Sequence, residues 1–283
     1  MLKKVILAFF LLGVGAVHAF APQTGTWVVT AELNGQPGRG IALDVQNTTL
    51  VMQVYAYQPS GQPTFYMGVG QLDSEVKTSF ALNSYTGGRY FGSGPLIGKP
   101  AGSAGAVSLR FTSGTSGFVT FPGEPEVAIS RFNFAYAALA QDLIGLWSFT
   151  SVGPVGKFSE VHALTYRGSA SYFGNGIVVS PSGLMACEHQ TRGANAGLVL
   201  CVRRDDYDQY LYSYYFDLSV NDGEGFERDS IGVRAGQVVY VRRLRTPGDV
   251  STGLVSKNEA QPPANLNALY QLFNQVASRG QTQ

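Results

Sequence analysis

Residues 49–71 read TLVMQVYAYQPSGQPTFYMGVGQ, and this stretch decides the fold. Leu50, Met52 and Val54 alternate with Val51, Gln53 and Tyr55, the period-two pattern of a strand that buries one face. At Pro59-Ser60-Gly61-Gln62 the chain is expected to turn back, because proline presets φ and glycine accepts positive φ. Thr64 to Gln71 is again β-branched, aromatic and glycine-rich. The stretch therefore predicts an antiparallel hairpin with strands Thr49 to Gln58 and Thr64 to Gln71.

The same texture continues on both sides. Thr26 to Leu33, Gly40 to Val45, Val76 to Leu82, Ala106 to Thr112, Gly117 to Phe121 and Val127 to Phe134 read as further strands. Their short spacing suits a meander closed into a barrel or sandwich. A second set begins at Gly145-Leu146-Trp147, which repeats Gly25-Thr26-Trp27 at an offset of 120. Its strands are expected at Ser159 to Tyr166, Ala170 to Val179, Gln209 to Val220, Asp229 to Arg234 and Val238 to Leu244. Val127 to Phe132 resembles Val238 to Arg243 at an offset of 111, and Leu50 to Val54 resembles Leu198 to Val202 at 148. The fold class expected is all-β, with two diverged antiparallel units, at 25–134 and 145–245, of lipocalin-like or avidin-like meander. Residues 135–144 form an alanine-rich linker expected to carry one or two helical turns, and 246–264 a polar, flexible segment. Leu266, Leu269, Tyr270, Phe273 and Val276 then recur at helical spacing, an amphipathic helix over 265–279.

Cys187 and Cys201 are the only cysteines. They lie symmetrically about Ala194, so folding Gly183 to Gln190 against Leu198 to Arg203 sets them opposite each other and predicts a cross-strand disulfide. Such a bond implies an oxidising compartment, and the first residues agree. Lys3 and Lys4 precede an apolar run of about 13 residues ending at Val17-His18-Ala19, the layout of a signal peptide over 1–19. The run is too short to span a bilayer, which takes roughly 20 residues. Periplasmic or secreted localisation follows as an expectation, with no transmembrane segment. Removing the leader takes two of the 20 Lys+Arg and none of the 19 Asp+Glu, so net charge moves from +1 to −1. A chain so nearly neutral is not expected to bind nucleic acid.

Several linked motifs carry a resemblance. Gly25-Thr26-Trp27, Gly38-Arg39-Gly40-Ile41-Ala42-Leu43-Asp44-Val45-Gln46, Tyr55-Ala56-Tyr57 before Gly61-Gln62-Pro63-Thr64-Phe65-Tyr66, Gly87-Gly88-Arg89-Tyr90-Phe91-Gly92 and Ile129-Ser130-Arg131-Phe132-Asn133-Phe134 stand in order. Together they make residues 25–134 similar to a repeat unit of uncharacterised exported proteins of Gram-negative bacteria. The second half shares only Gly-x-Trp and the closing strand. The resemblance implies a secreted β domain and brings no activity with it.

Physically, Trp27 and Trp147 beside tight glycine turns suit indoles that plug the end of a barrel. Arg131 is expected to lie over Trp27 as a cation–π cap, and Tyr57, Phe65 and Tyr66 to pack across the hairpin. Tyr210, Tyr212 and Tyr214 fall on one strand face by period two. Ligand contact, should there be any, would use Trp27, Tyr57, Tyr66, Arg131, Trp147, Tyr210, Tyr212 and Tyr214.

No set of residues for a named reaction assembles from the sequence. Beyond the leader there are two histidines, His162 and His189, neither beside a Gly-x-Ser-x-Gly elbow or a paired metal-ligand motif. Asp205-Asp206-Tyr207-Asp208 and Asn221-Asp222-Gly223-Glu224-Gly225 lack the spacing of a calcium loop and read as solvated turns. No catalytic residue, cofactor or metal is expected. The chain reads as a non-catalytic binding or interaction protein for a protein, glycan or small apolar ligand, with a lipocalin-like carrier and a carbohydrate binder as the alternatives and a hydrolase less favoured.

Overall fold

The computed structural model describes residues 20–134, 136–229, 236–246 and 264–280. The signal-peptide expectation over 1–19, and residues 247–263 of the polar segment, lie outside the described residues.

Eight strands form a closed antiparallel barrel: β1 Gly25–Val29, β2 Gly40–Gln46, β3 Thr49–Tyr57, β4 Pro63–Gln71, β5 Lys77–Thr86, β6 Lys99–Phe111, β7 Ser116–Thr120 and β8 Glu126–Arg131. Each strand pairs with the next in sequence, and β8 returns to β1 through Trp27 opposite Arg131. Alternation sends Ile41, Leu43, Leu50, Met52, Val54, Leu82, Val107, Leu109, Val119 and Ile129 inside, where they fill the barrel as side chains fill a small closed sheet. The hairpin at residues 49–71 forms as expected, its turn closed by Gly61 N–H to the Gln58 carbonyl at 2.8 Å.

The second sheet contains β9 Gly145–Gly153, β10 Gly156–Leu164, β11 Tyr166–Arg167, β12 Val178–Val179, β13 Met185–His189, β14 Val199–Arg204, β15 Tyr210–Ser219, β16 Asp222–Asp229 and β17 Val238–Arg245. Its order is β10-β9-β17-β16-β15-β14-β13-β12-β11, a curled half-barrel. Trp147, Phe149, Leu164, Cys187, Cys201, Tyr214 and Val241 pack on the inner face. On the other face α1, Leu266–Arg279, lays Leu269, Phe273, Val276 and Ala277 against Ile177, Val179, Ala186, Leu200 and Val202. Cys187 and Cys201 are bonded, directly opposite on β13 and β14.

Both units begin with the same device. The Trp27 indole N–H donates to the Gln23 carbonyl at 3.0 Å, and that of Trp147 to the Leu143 carbonyl at 2.8 Å, four residues back in each case. Gly25 and Gly145 precede these indoles at φ 136° and 146°, values an L side chain rarely adopts. A Cβ would strike the Arg131 guanidinium at Gly25 and the Arg245 carbonyl at Gly145.

Several expectations are corrected. β1 stops at Val29 and gives way to a 3-10 turn, Thr30–Glu32. The helical turn expected in the linker is present and is of 3-10 type, Ala140–Leu143. Of Ala170 to Val179 only Val178 and Val179 are strand. Asp222 to Gly225 lie within β16 rather than in a turn. β6 starts at Lys99, well ahead of Ala106. The Arg opposite Trp147 is Arg243, so the closing strands correspond at 112 rather than 111. Leu50 to Val54 and Leu198 to Val202 lie on strands of unlike position, third in the barrel and second neighbour of β16 in the sheet.

Candidate functional site

The curl of the second sheet brings β10 across to β14 and β15 and gathers a polar cluster at their meeting. Glu160 and His162 share a face of β10 by period two, and Arg203, Tyr212 and Tyr214 project from β14 and β15. The Tyr214 and Tyr212 hydroxyls donate to Glu160 Oε1 at 2.9 and 3.1 Å. His162 Nε2 stands 2.9 Å and Arg203 Nε 3.5 Å from Glu160 Oε2. Burial pushes the Glu160 carboxyl up, but the hydrogen bonds from His162 and Tyr214 and the charges of His162 and Arg203 outweigh it and hold the group below its ordinary value. Burial and the facing carboxylate raise Tyr212 to about 12 and push Tyr214 up as well, so both phenols stay neutral donors. Glu160 is thus occupied on both oxygens, and among the described residues no Ser or Thr hydroxyl bonds either imidazole. The arrangement ties β10 to β14 and β15. Glu160-x-His162 on a strand was the sequence signal for it, and it went unused because the partners lie some 40 to 55 positions away.

The second histidine belongs to the core. His189 lies beneath the Tyr136 hydroxyl at 3.4 Å, and burial lowers it to about 4, which keeps the imidazole neutral. Next to it Glu188, fully buried, accepts the backbone N–H groups of Ser171 and Gly176 at 2.8 and 2.9 Å and the Ser171 hydroxyl, pinning the 168–177 loop. Asp205 Oδ1 accepts the N–H groups of Tyr207 and Gln209, both at 2.9 Å, and so closes a turn on itself. Among the described residues no group of three or more His, Cys, Asp or Glu is placed to hold a metal ion, and no helix is long and apolar enough to cross a membrane.

The residues considered for ligand contact fall into four environments. Trp27 and Trp147 are core. Arg131 lies against Gly25 and donates Nη1–H to the Thr26 carbonyl at 2.6 Å, while the cation found over an indole is Arg243, 4.5 Å from the Trp147 ring centroid. Tyr210 does not share a face with Tyr212 and Tyr214. A bulge between Arg203 and Arg204 sets Arg204 opposite Tyr210, which turns that ring to the helix side, its hydroxyl bonded to the Arg228 carbonyl at 2.9 Å. Tyr66 packs on the barrel core, whereas Tyr57, opposite Pro63, is exposed.

Apolar side chains meet solvent in the second unit, at Val161, Tyr172 and Tyr240 among others, and on the outer wall of the barrel. Tyr55 stands opposite Phe65, and pairing of Met67 with Asn83 brings Tyr85 towards the level of Phe65, two residues on along each strand. All three rings are exposed, a row across β3, β4 and β5. Beyond it Tyr90, Phe91, Leu96 and Ile97 stand exposed in the connection from β5 to β6. Sequence reading saw Tyr57 and Phe65 but not the row, because Tyr55 and Tyr85 become neighbours only through the sheet. No family model matches the chain, and no curated protein or solved structure is similar to it.

Proposed function

We propose that this chain is an exported, non-catalytic binding protein that holds its partner on the outer wall of the first barrel, over Tyr55, Phe65 and Tyr85. The observation that carries the reading is this exposed row. Aromatic rings in water cost free energy that a partner's apolar or ring-bearing face recovers, whereas a carrier would hold its ligand inside, where Trp27, Met52, Leu109 and their neighbours already sit. The leader-like first 19 residues and the disulfide support export. The occupied carboxylate of Glu160 supports a structural rather than catalytic role for the Glu160–His162 pair. The resemblance to exported β-repeat proteins points the same way.

Hydroxyl-radical footprinting of the exported protein tests the reading, with a soluble β-glucan, peptidoglycan fragments and lipid vesicles as separate probes. Protection of Tyr55, Phe65 and Tyr85 by at least one probe is expected. No protection by any of them, or a small apolar molecule retained in native mass spectrometry, refutes it.

A further inference from the structure

The β5–β6 connection is more than a loop. Asn83 to Thr86 pair with Lys99 to Ser103, with register shifts after Leu82 and Ser84, and β7 pairs with β6 only from Ser108 onward. On the β6 side the pair therefore runs past β7 and carries the 87–98 connection outward as an arm. β6 spans 13 residues from this arm to the turn that touches the second unit through Ser113 and Asp217, a separation of about 40 Å at strand rise. The arm thus stands clear of the described residues of the second unit.

Its tip is built in one style. Phe91 is 107% exposed, Ile97 84% and Tyr90 72%, with Leu96 beside them. Tyr90 and Ser93 close a local turn, Ser93 N–H to the Tyr90 carbonyl at 2.9 Å and Tyr90 N–H to Ser93 Oγ at 3.1 Å, which sets Phe91 at the apex. From Glu75 to Glu124 the sequence holds no intervening acidic residue but four cations, Lys77, Arg89, Lys99 and Arg110. Lys77 is paired with Glu75 and Arg110 with Glu126. Arg89 and Lys99, at the two ends of the apolar tip, make no ion pair among the described residues.

We propose that the arm is an anchor for an anionic lipid surface, with Phe91, Ile97, Tyr90 and Leu96 entering the headgroup–acyl boundary and Arg89 and Lys99 resting on lipid phosphates. Apolar and aromatic groups flanked by cations, with no acid to repel the surface, are what such an interface selects. The inference rests on the reading that the first barrel carries the contact face, and names one partner for it.

The test is co-flotation of the full exported chain with vesicles of equimolar phosphatidylcholine and phosphatidylglycerol, and with phosphatidylcholine alone. Binding to the anionic vesicles is expected, lowered about tenfold or more by Phe91→Asp with Ile97→Asp. Arg89→Gln with Lys99→Gln should abolish the preference for anionic lipid. Phe91→Trp should show a blue-shifted emission on vesicles, read against the buried Trp27 and Trp147, and unchanged melting curves confirm that the variants fold. Absence of flotation, or flotation indifferent to these substitutions, overturns the proposal. So does Phe91-dependent self-association without lipid binding, which would make a second copy the occupant. If the vesicles fail while a glucan still protects Tyr55, Phe65 and Tyr85, the lipid assignment falls and the binding face stands.

Discussion

Replacing Glu224 by Gln should stabilise the protein at alkaline pH and leave it unchanged in acid. Glu224 projects from β16 onto Gly114 of the first barrel, with Asp217 and Asp222 close by and Arg131 across the groove. Burial first, and the charges of Asp217 and Asp222 next, push its carboxyl up from 4.5 to about 7. A carboxyl raised on folding binds its proton more tightly in the folded chain. The group therefore costs nothing below the unfolded value, begins to cost stability as pH rises past it, and imposes its full penalty above about pH 7. The shift corresponds to about 3 kcal/mol, which partial solvent access reduces to about 1–2 kcal/mol. For a chain of this size that is roughly 2–6 °C in melting temperature. Calorimetry of Glu224→Gln against the parent should show such a rise at about pH 8 and none at about pH 4. An equal shift at both pH values would show that packing, not charge, is responsible. A loss at pH 8 would mean that Arg131 pairs with the ionised carboxylate and that the sign of the argument is wrong.

Cys187→Ser with Cys201→Ser opens a loop of about 15 residues and should cost about 3 kcal/mol in urea unfolding, with reductant reproducing the loss in the parent. Glu160→Ala strips the acceptor from Tyr212, Tyr214 and His162 and the counter-charge from Arg203 and should cost about 2–4 kcal/mol, far more than Glu160→Gln. Because the Glu160 carboxyl is lowered on folding, its contribution should be present above the unfolded carboxylate range and fade in the parent as pH falls through the folded value, a fade absent from the Ala variant. Exchanging residues 87–98 for Asn-Gly should leave the melting temperature within about 2 °C, since the tip contributes no core residue.

The fold was legible wherever local signals agree. Alternation in Leu50-Val51-Met52-Gln53-Val54 and the Pro59 to Gln62 turn give a hairpin whose pairing follows from sequence alone, and the symmetric cysteines give theirs. Legibility failed where tertiary context decides. Lys99 to Gly105 contains Pro, Gly and Ala and no β-branched residue, yet it is strand because Asn83 to Thr86 offers it a ladder. Ala170 to Gly176 is aromatic and strand-like but is held as loop by the buried Glu188 carboxylate, a contact that nothing local announces. Tyr210 left its expected face through one bulged residue, Leu211. The exposed row of Tyr55, Phe65 and Tyr85 and the polar knot at Glu160 are both products of strand order, which a single sequence does not encode locally.

Strand order also explains why the second unit needs that knot. β9 sits between β10 and β17 as β1 sits between β2 and β8, with Trp147 opposite Arg243 as Trp27 is opposite Arg131. The first sheet continues from β2 through β3 by a seven-pair ladder and closes. In the second, the chain leaving β10 at Leu164 enters β11, a strand of two residues that pairs with β12 and not with β10. Among the described residues no ladder joins β10 to β11 to close the sheet, and an open strand edge is a liability that proteins cover or hold. Glu160, reaching from β10 to Tyr212, Tyr214 and Arg203, supplies by side chains the closure that backbone supplies in the first unit. A carboxylate with three hydrogen-bond partners and the Arg203 charge beside it thus holds this half-buried seam, and its loss should loosen the second sheet while leaving the first barrel intact.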